Sequence, residues 1–248
     1  MGYGAKSAIP HGKCEKEKEE SLLNLVWIWL REHSLLLLLI LGTLFNMFWL
    51  YRMRQRLRMR WYALIVCSVL HTLVGVLSVK VFAFLESGDI GNMSLFGGVF
   101  FMPVAYWLGA KLTKRPYGAV CDVFTPCMIF TLMCARVNCI LSGCCTGLFI
   151  PGTQTRFPTR ESELLYYVVM LILLIPRVDK DKNPGGMYPL YMATYGAFRF
   201  FNEFFRTSST GMLFHLSHVW AAIAFAAGLS IYAETKARNR RGKKVTKK

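Results

Sequence analysis

The chain has 248 residues, 54% of them hydrophobic, and a positive mean hydropathy. Apolar residues in that proportion, gathered into long blocks, exclude an ordinary soluble domain. The net charge of +16 invites a nucleic-acid reading, but the basic residues sit in short segments between apolar blocks, which is a pattern of membrane topology and argues that nucleic acid is not a partner.

Residues 1–20 are polar, with acidic and basic side chains almost in balance and no cleavable signal apparent. Residues 21–33 read as an interfacial helix, with Trp27 and Trp29 suited to the headgroup level. Together 1–33 are expected to form an extracytoplasmic polar N-terminus and interfacial helix. A bilayer core takes roughly 20 apolar residues per helix. Candidate spans at 34–51, 61–85, 94–112, 120–142, 164–176, 187–206 and 212–233 predict an all-α integral membrane protein with seven transmembrane helices in one domain, 34–233. The outer loop 143–163 lies between spans four and five, and residues 234–248 form a basic cytoplasmic tail.

Span one is a plain anchor, followed by Arg52, Arg54, Arg56, Arg58 and Arg60. Span two carries His71, read as a core histidine because no second ligand stands at metal spacing, and Lys80, which either snorkels outward or lines a cavity. The loop 86–93 holds Glu86 and Asp89 and no basic residue. Span three opens with the pair Gly97 and Gly98, which either lets helices approach closely or frees amides to face an anion. Lys111, Lys114 and Arg115 follow it, as Arg177, Lys180 and Lys182 follow span five. This one-sided distribution sets the N-terminus outside and the C-terminus in the cytoplasm.

Span four carries Asp122, Pro126 and, deep in the span, Arg136. An arginine near a helix centre costs roughly 2.5–3.5 kcal/mol on insertion scales. Arg136 and Arg199 of span six would each cost that much facing lipid, so a shared polar cavity is the cheaper solution, with Asp122 and Glu203 as acids to offset the charge. Intramembrane charge of this kind marks a functional site by default. Glu163 or Arg177 marks an end of the short fifth span. As a helix, Tyr195, Arg199, Glu203 and Arg206 line one face among Phe198, Phe200, Phe201, Phe204 and Phe205. His215 and His218 of span seven read as a polar helix end.

Six of the eight cysteines lie between 121 and 145. Cys121, Cys127 and Cys134 read as small apolar fillers. Cys144 and Cys145 stand at a glycine-bounded outer turn, where Arg136 would favour a reactive thiolate. No metal site is expected, since no second cysteine pair stands at a regular spacing, and no cofactor is implied.

Five segments then resemble, in order, those of the prolipoprotein diacylglyceryl transferase family. They are Ser94-Leu-Phe-Gly-Gly98, Asp122-Val-Phe-Thr-Pro126, Arg136 through Gly147, Pro158-Thr-Arg-Glu-Ser-Glu163, and Tyr195-Gly-x-x-Arg-x-x-x-Glu-x-x-Arg206. The sequence departs from the family pattern at Phe96, at Asn138-Cys139, at Cys144, which stands at the signature acid, and at Arg160. The resemblance implies a bacterial inner-membrane enzyme that moves a diacylglyceryl group from phosphatidylglycerol, or a related anionic phospholipid, to a cysteine of a secreted preprotein or a related acceptor. On that reading Arg136 and Arg199 clamp phosphate, with Tyr195, Arg206, Gly97, Gly98 and Gly147 around the lipid. Glu203 orients Arg199, Glu163 and Glu203 are the candidate bases, and Cys144 or Cys145 is a candidate carrier. The alternatives are a non-enzymic phospholipid-binding or lipid-moving membrane protein, and a membrane thiol redox protein using Cys144 and Cys145.

Overall fold

The computed structural model describes residues 11–88, 93–180, 183–206 and 214–245. Residues 1–10 of the polar N-terminus, Asp89, Lys182, the start of the seventh expected span at 212–213, and Lys247 and Lys248 of the tail lie outside the described residues.

Seven helices make up most of the described chain: α1 (His11–Leu57), α2 (Trp61–Ser87), α3 (Phe96–Thr113), α4 (Tyr117–Ser142), α5 (Thr159–Asp179), α6 (Met187–Glu203) and α7 (Leu216–Val245). Two isolated β-bridges, Gly147 with Arg206 and Phe149 with Arg156, are the sole extended pairings among the described residues. α1 is one helix of 47 residues and runs without a break through 21–33. The fifth helix starts earlier than its apolar run. Glu163 therefore lies inside α5, on its buried face, and does not mark its end.

Four helical segments are long and apolar enough to cross a membrane: Asn24–Leu57, Trp61–Ser87, Tyr117–Ser142 and Leu216–Arg241. Their outer faces leave large apolar side chains uncovered, Leu73 and Leu77 among them at 60% and 61% exposure, which water would penalise and lipid would not. α5 and α6 carry buried charges as well, Glu163 on the first and Arg199 and Glu203 on the second.

α4 is the central helix, with most of its first half buried. α1 crosses it through Trp49 Nε1, which donates to the Val123 carbonyl at 2.8 Å. Nearer the other end, the Ser34 hydroxyl donates to Asn138 Oδ1 at 2.8 Å. α6 and α7 approach closely because each has a glycine at the crossing: a Cβ on Gly196 would meet the Ala221 carbonyl, and one on Gly228 the Pro189 carbonyl. His71 is a buried core side chain, stacked on Tyr106. His218 accepts the His215 amide at 3.1 Å and so caps the start of α7.

The two ends of the bundle differ. At one end Arg52 pairs with Asp179 at 2.7 Å and Asn239 of α7 reaches Asn183, which gathers the basic segments together. At the opposite end the segment 143–158 folds over the helix ends. Leu148 donates its amide to the Phe205 carbonyl, and Phe157 donates to the Leu148 carbonyl, both at 2.8 Å. Phe157 stacks on Phe205 at 4.2 Å. These bonds tie the exit of α4 to the exit of α6.

Candidate functional site

α4, α5 and α6 bring four buried charges together beneath that folded segment. Glu163 of α5 is the hub, at 1% exposure. Its Oε2 lies 2.8 Å from Arg136 Nη2 and 3.6 Å from Arg199 Nη1. Its Oε1 accepts the Tyr167 hydroxyl at 2.8 Å and the Tyr195 hydroxyl at 3.4 Å. Arg199 Nη2 is also 2.7 Å from Glu203 Oε2, a close charge contact outside directed hydrogen-bond geometry. Arg206, partly exposed, lies 3.7 Å from Glu203 Oε1. Burying such charges is tolerable only when they are paired and hydrogen-bonded, and the helical spacing of Arg199, Glu203 and Arg206 supplies the pairing from one face of the chain.

Pairing is incomplete in one respect. Arg136 is buried, yet its Nε has no hydrogen-bond partner among the described residues, and neither has the Tyr191 hydroxyl. A buried donor left open costs about 1–3 kcal/mol, so an acceptor arriving there would be favoured. Three guanidinium groups face two carboxylates, and the third, Arg206, donates from Nη2 to Cys145 Sγ at 3.3 Å. The cluster is thus short of negative charge on the side of the thiol turn. Hydrogen bonding from the Cys139 thiol, and then Arg206 and Arg136, hold the Cys145 thiol well below the ordinary thiol range.

Other residues singled out in the sequence fall into place differently. Asp122 does not offset the deep arginines. It sits about 21 Å along α4 from Arg136 at 1.5 Å per residue, where its carboxylate accepts the Gly185 amide at 2.6 Å and the Met187 amide at 2.9 Å. It caps α6 and faces the positive end of that helix. Gly97 and Gly98 do not offer open amides: these donate to Ser94 and Leu95 carbonyls at 3.0 and 3.1 Å. Gly97 instead lets α3 lie against the backbone of α2, where a Cβ would overlap the Ser78 carbonyl. Gly147 likewise passes against the Phe157 carbonyl. Phe96 is buried edge-on to Tyr195, with the Arg199 guanidinium 5.9 Å from its ring centre.

Tyr167 was not singled out by the sequence, although its position four residues after Glu163 on one helix face could have pointed to it. Asn202, which the helical spacing places on or beside the face of Tyr195, Arg199, Glu203 and Arg206, donates to the Thr159 carbonyl at 3.2 Å while its Oδ1 accepts the Ser162 hydroxyl at 3.0 Å, fastening α6 to α5. Cys144 is exposed and accepts the Ser142 hydroxyl at 3.3 Å. No metal site is expected from the spacing of the cysteines along the chain; in space Cys139 adds a third sulfur to the Cys144–Cys145 pair, all within 4.8 Å of one another. Separately, an apolar cavity lies among α1 to α4, lined by Leu39, Gly42, Gly75, Val79, Met128 and Leu132 among others.

The chain is similar to phosphatidylglycerol–prolipoprotein diacylglyceryl transferase of Chlorobaculum tepidum, at 26% identity over 60% of this chain and 57% of that protein. It is similar to the enzymes of the same name from Mannheimia succiniciproducens, at 31% identity over 47% of each chain, and Polaromonas naphthalenivorans, at 27% over 47% of this chain and 48% of that one. The chain thus spans about half the length of the curated relatives it matches. The family described as prolipoprotein diacylglyceryl transferase matches residues 28–233, which takes in all five motif segments and the whole buried cluster, and the chain belongs to that family.

Proposed function

We propose that this protein transfers the diacylglyceryl group of phosphatidylglycerol to the cysteine thiol of a secreted preprotein, at the outer face of the bacterial cytoplasmic membrane. All seven helices span the bilayer in this reading. The end that gathers Arg52, Arg56 and the tail faces the cytoplasm, and the segment 143–163 faces out. The observation that carries the function is the pair Arg136 and Arg199 converging on Glu163 inside the bundle, with Arg136 Nε still open.

Guanidinium groups recognise phosphate through a planar fork of donors, and do so more strongly away from water. Arg136 and Arg199 hold the phosphodiester of the lipid. The acceptor sulfur attacks the glyceryl carbon, the bond from that carbon to the phosphate oxygen breaks, and glycerol phosphate leaves with the electron pair. Negative charge grows on the leaving phosphate, where fixed donors stabilise the transition state more than the ground state. Glu163, held by Tyr167 and Tyr195, sets the angle of both arginines. Glu203 orients Arg199 from the other side. Of these two carboxylates Glu163 has its lone pairs taken, so Glu203, whose Oε2 accepts no directed hydrogen bond, is the better candidate to receive the thiol proton. The apolar cavity among α1 to α4 suits an acyl chain.

Purified protein in nanodiscs, given phosphatidylglycerol and a peptide with a lipobox cysteine, is expected to release glycerol phosphate and yield the thioether peptide. Normal turnover by Arg136→Ala would remove the basis of the proposal. A second reading, phospholipid binding without turnover, is favoured by Phe96, whose ring stands against Arg199 and Tyr195 where the resembled family has a polar side chain. Stoichiometric bound lipid with no thioether formed against any thiol would select it.

A further inference from the structure

The thiol turn has a structure of its own that phosphate binding does not require. α4 ends at Gly143 with φ 74°, and Cys145 then takes a left-handed φ of 56°. For a residue with a Cβ that conformation costs roughly 1–2 kcal/mol. Its effect is to turn two adjacent cysteines back toward the last turn of the helix. The sulfurs of Cys139, Cys144 and Cys145 consequently all lie within 4.8 Å of one another.

The turn is fixed from outside. Arg160 Nη1 donates to the carbonyls of Cys139 and Cys144 at 3.5 and 3.3 Å. The Thr159 hydroxyl donates to the Cys145 carbonyl, and the Ser142 hydroxyl to Cys144 Sγ, both at 3.3 Å. The Cys144 thiol in turn reaches the Cys139 carbonyl at 3.7 Å. Such supporting contacts are what orient ligands in metal sites. Arg206 adds a cation at 3.3 Å from Cys145 Sγ.

We propose that Cys139, Cys144 and Cys145 form a three-thiolate site for a thiophilic d10 cation, zinc being the reference case. Zinc–thiolate bonds of about 2.3 Å place tetrahedral sulfurs about 3.8 Å apart, so the observed triangle closes with a shift of about 1 Å or less per pair. Three sulfur donors select a soft or borderline ion over magnesium or calcium, which take oxygen. Three thiolates around a divalent ion leave one negative charge, and the Arg206 guanidinium offsets it. The exposed side of Cys144 leaves the fourth position to water. Binding releases the thiol protons and pins the exit of α4 beneath the outer segment. This site goes beyond the transferase reading and does not depend on it.

Full-length protein, reduced and desalted anaerobically in detergent, is to be titrated with Cd2+, whose thiolate complexes absorb in the ultraviolet. One equivalent per chain is expected, with a charge-transfer band of three-thiolate intensity. Peptide mass spectrometry after alkylation is expected to find Cys139, Cys144 and Cys145 protected in the loaded protein and labelled in the metal-free protein. Cys139→Ser is expected to weaken binding at least tenfold. The alkylation pattern of the wild-type chain stands without any variant, should the serine chain fail to fold. The proposal is overturned if no band forms at one equivalent, or if Cys139→Ser binds as the wild type does. It is also overturned if, on admission of air, the reduced, metal-free protein rapidly forms a disulfide within the triad that excludes Cd2+, with dioxygen taking the two electrons and the thiol protons released, which would mark a thiol redox pair.

Discussion

The two ends of α4 each bury a charge, and they use it differently. Asp122 at one end has both carboxylate oxygens filled by the amides of Gly185 and Met187. Its charge is spent on starting α6 at the right place. Arg136 at the other end shares one carboxylate with a second arginine and keeps an open Nε. Buried charge by itself therefore does not identify a site. What separates the two is whether hydrogen-bonding capacity remains after the fold has been satisfied.

That contrast can be broken by substitution, beginning where the effect is largest. Arg136→Ala is expected to lower thioether formation by about 10²–10³-fold, the usual cost of removing one donor to developing charge, while the chain still folds because Glu163 keeps Arg199. Glycerol phosphate release per mole of folded protein checks this. Arg199→Lys keeps the charge but loses the fork, and a charge-assisted hydrogen bond of about 1.5–3 kcal/mol translates into a loss of roughly ten- to a hundredfold. The same assay measures it. Asp122→Ala is expected to do the opposite: it costs about 1–2 kcal/mol of stability as a lost cap, seen as a lower thermal midpoint, and leaves turnover per folded molecule near that of the wild type. Smallest is Tyr167→Phe. It removes one of the hydrogen bonds to Glu163 and is expected to cost about 1 kcal/mol, read as a several-fold loss of turnover with lipid binding retained.

Much of this arrangement was legible in the residues. The helical spacing of Tyr195, Arg199, Glu203 and Arg206 fixes their common face, and the cost of an arginine in lipid forces Arg136 and Arg199 inward toward each other. The acid between them was less visible. Glu163 stands at the polar edge of a short apolar run, where a carboxylate at a span's end and one inside a bundle look alike. Only the folding of 143–158 over the start of α5 decides between them. Asp122 takes a place that the sequence does not show for a related reason: its hydrogen bonds come from backbone amides more than sixty residues away, which carry no sequence signal, and the nearby cation is Arg56 at 3.9 Å, not Arg136 or Arg199. The convergence of the Cys139 sulfur on the Cys144–Cys145 pair is not legible in spacing along the chain, where no second cysteine pair stands at a regular interval. The left-handed turn at Cys145 folds that spacing back on itself.

The direct test of the central claim compares the two ends of α4 in one binding experiment. Wild type, Arg136→Ala and Asp122→Ala, purified and delipidated, are each offered phosphatidylglycerol against a zwitterionic phospholipid, and bound lipid is counted by native mass spectrometry. Wild type and Asp122→Ala are expected to retain the anionic lipid selectively, and Arg136→Ala to lose that selectivity. Selective retention by Arg136→Ala would contradict the assignment of the phosphate to this arginine pair.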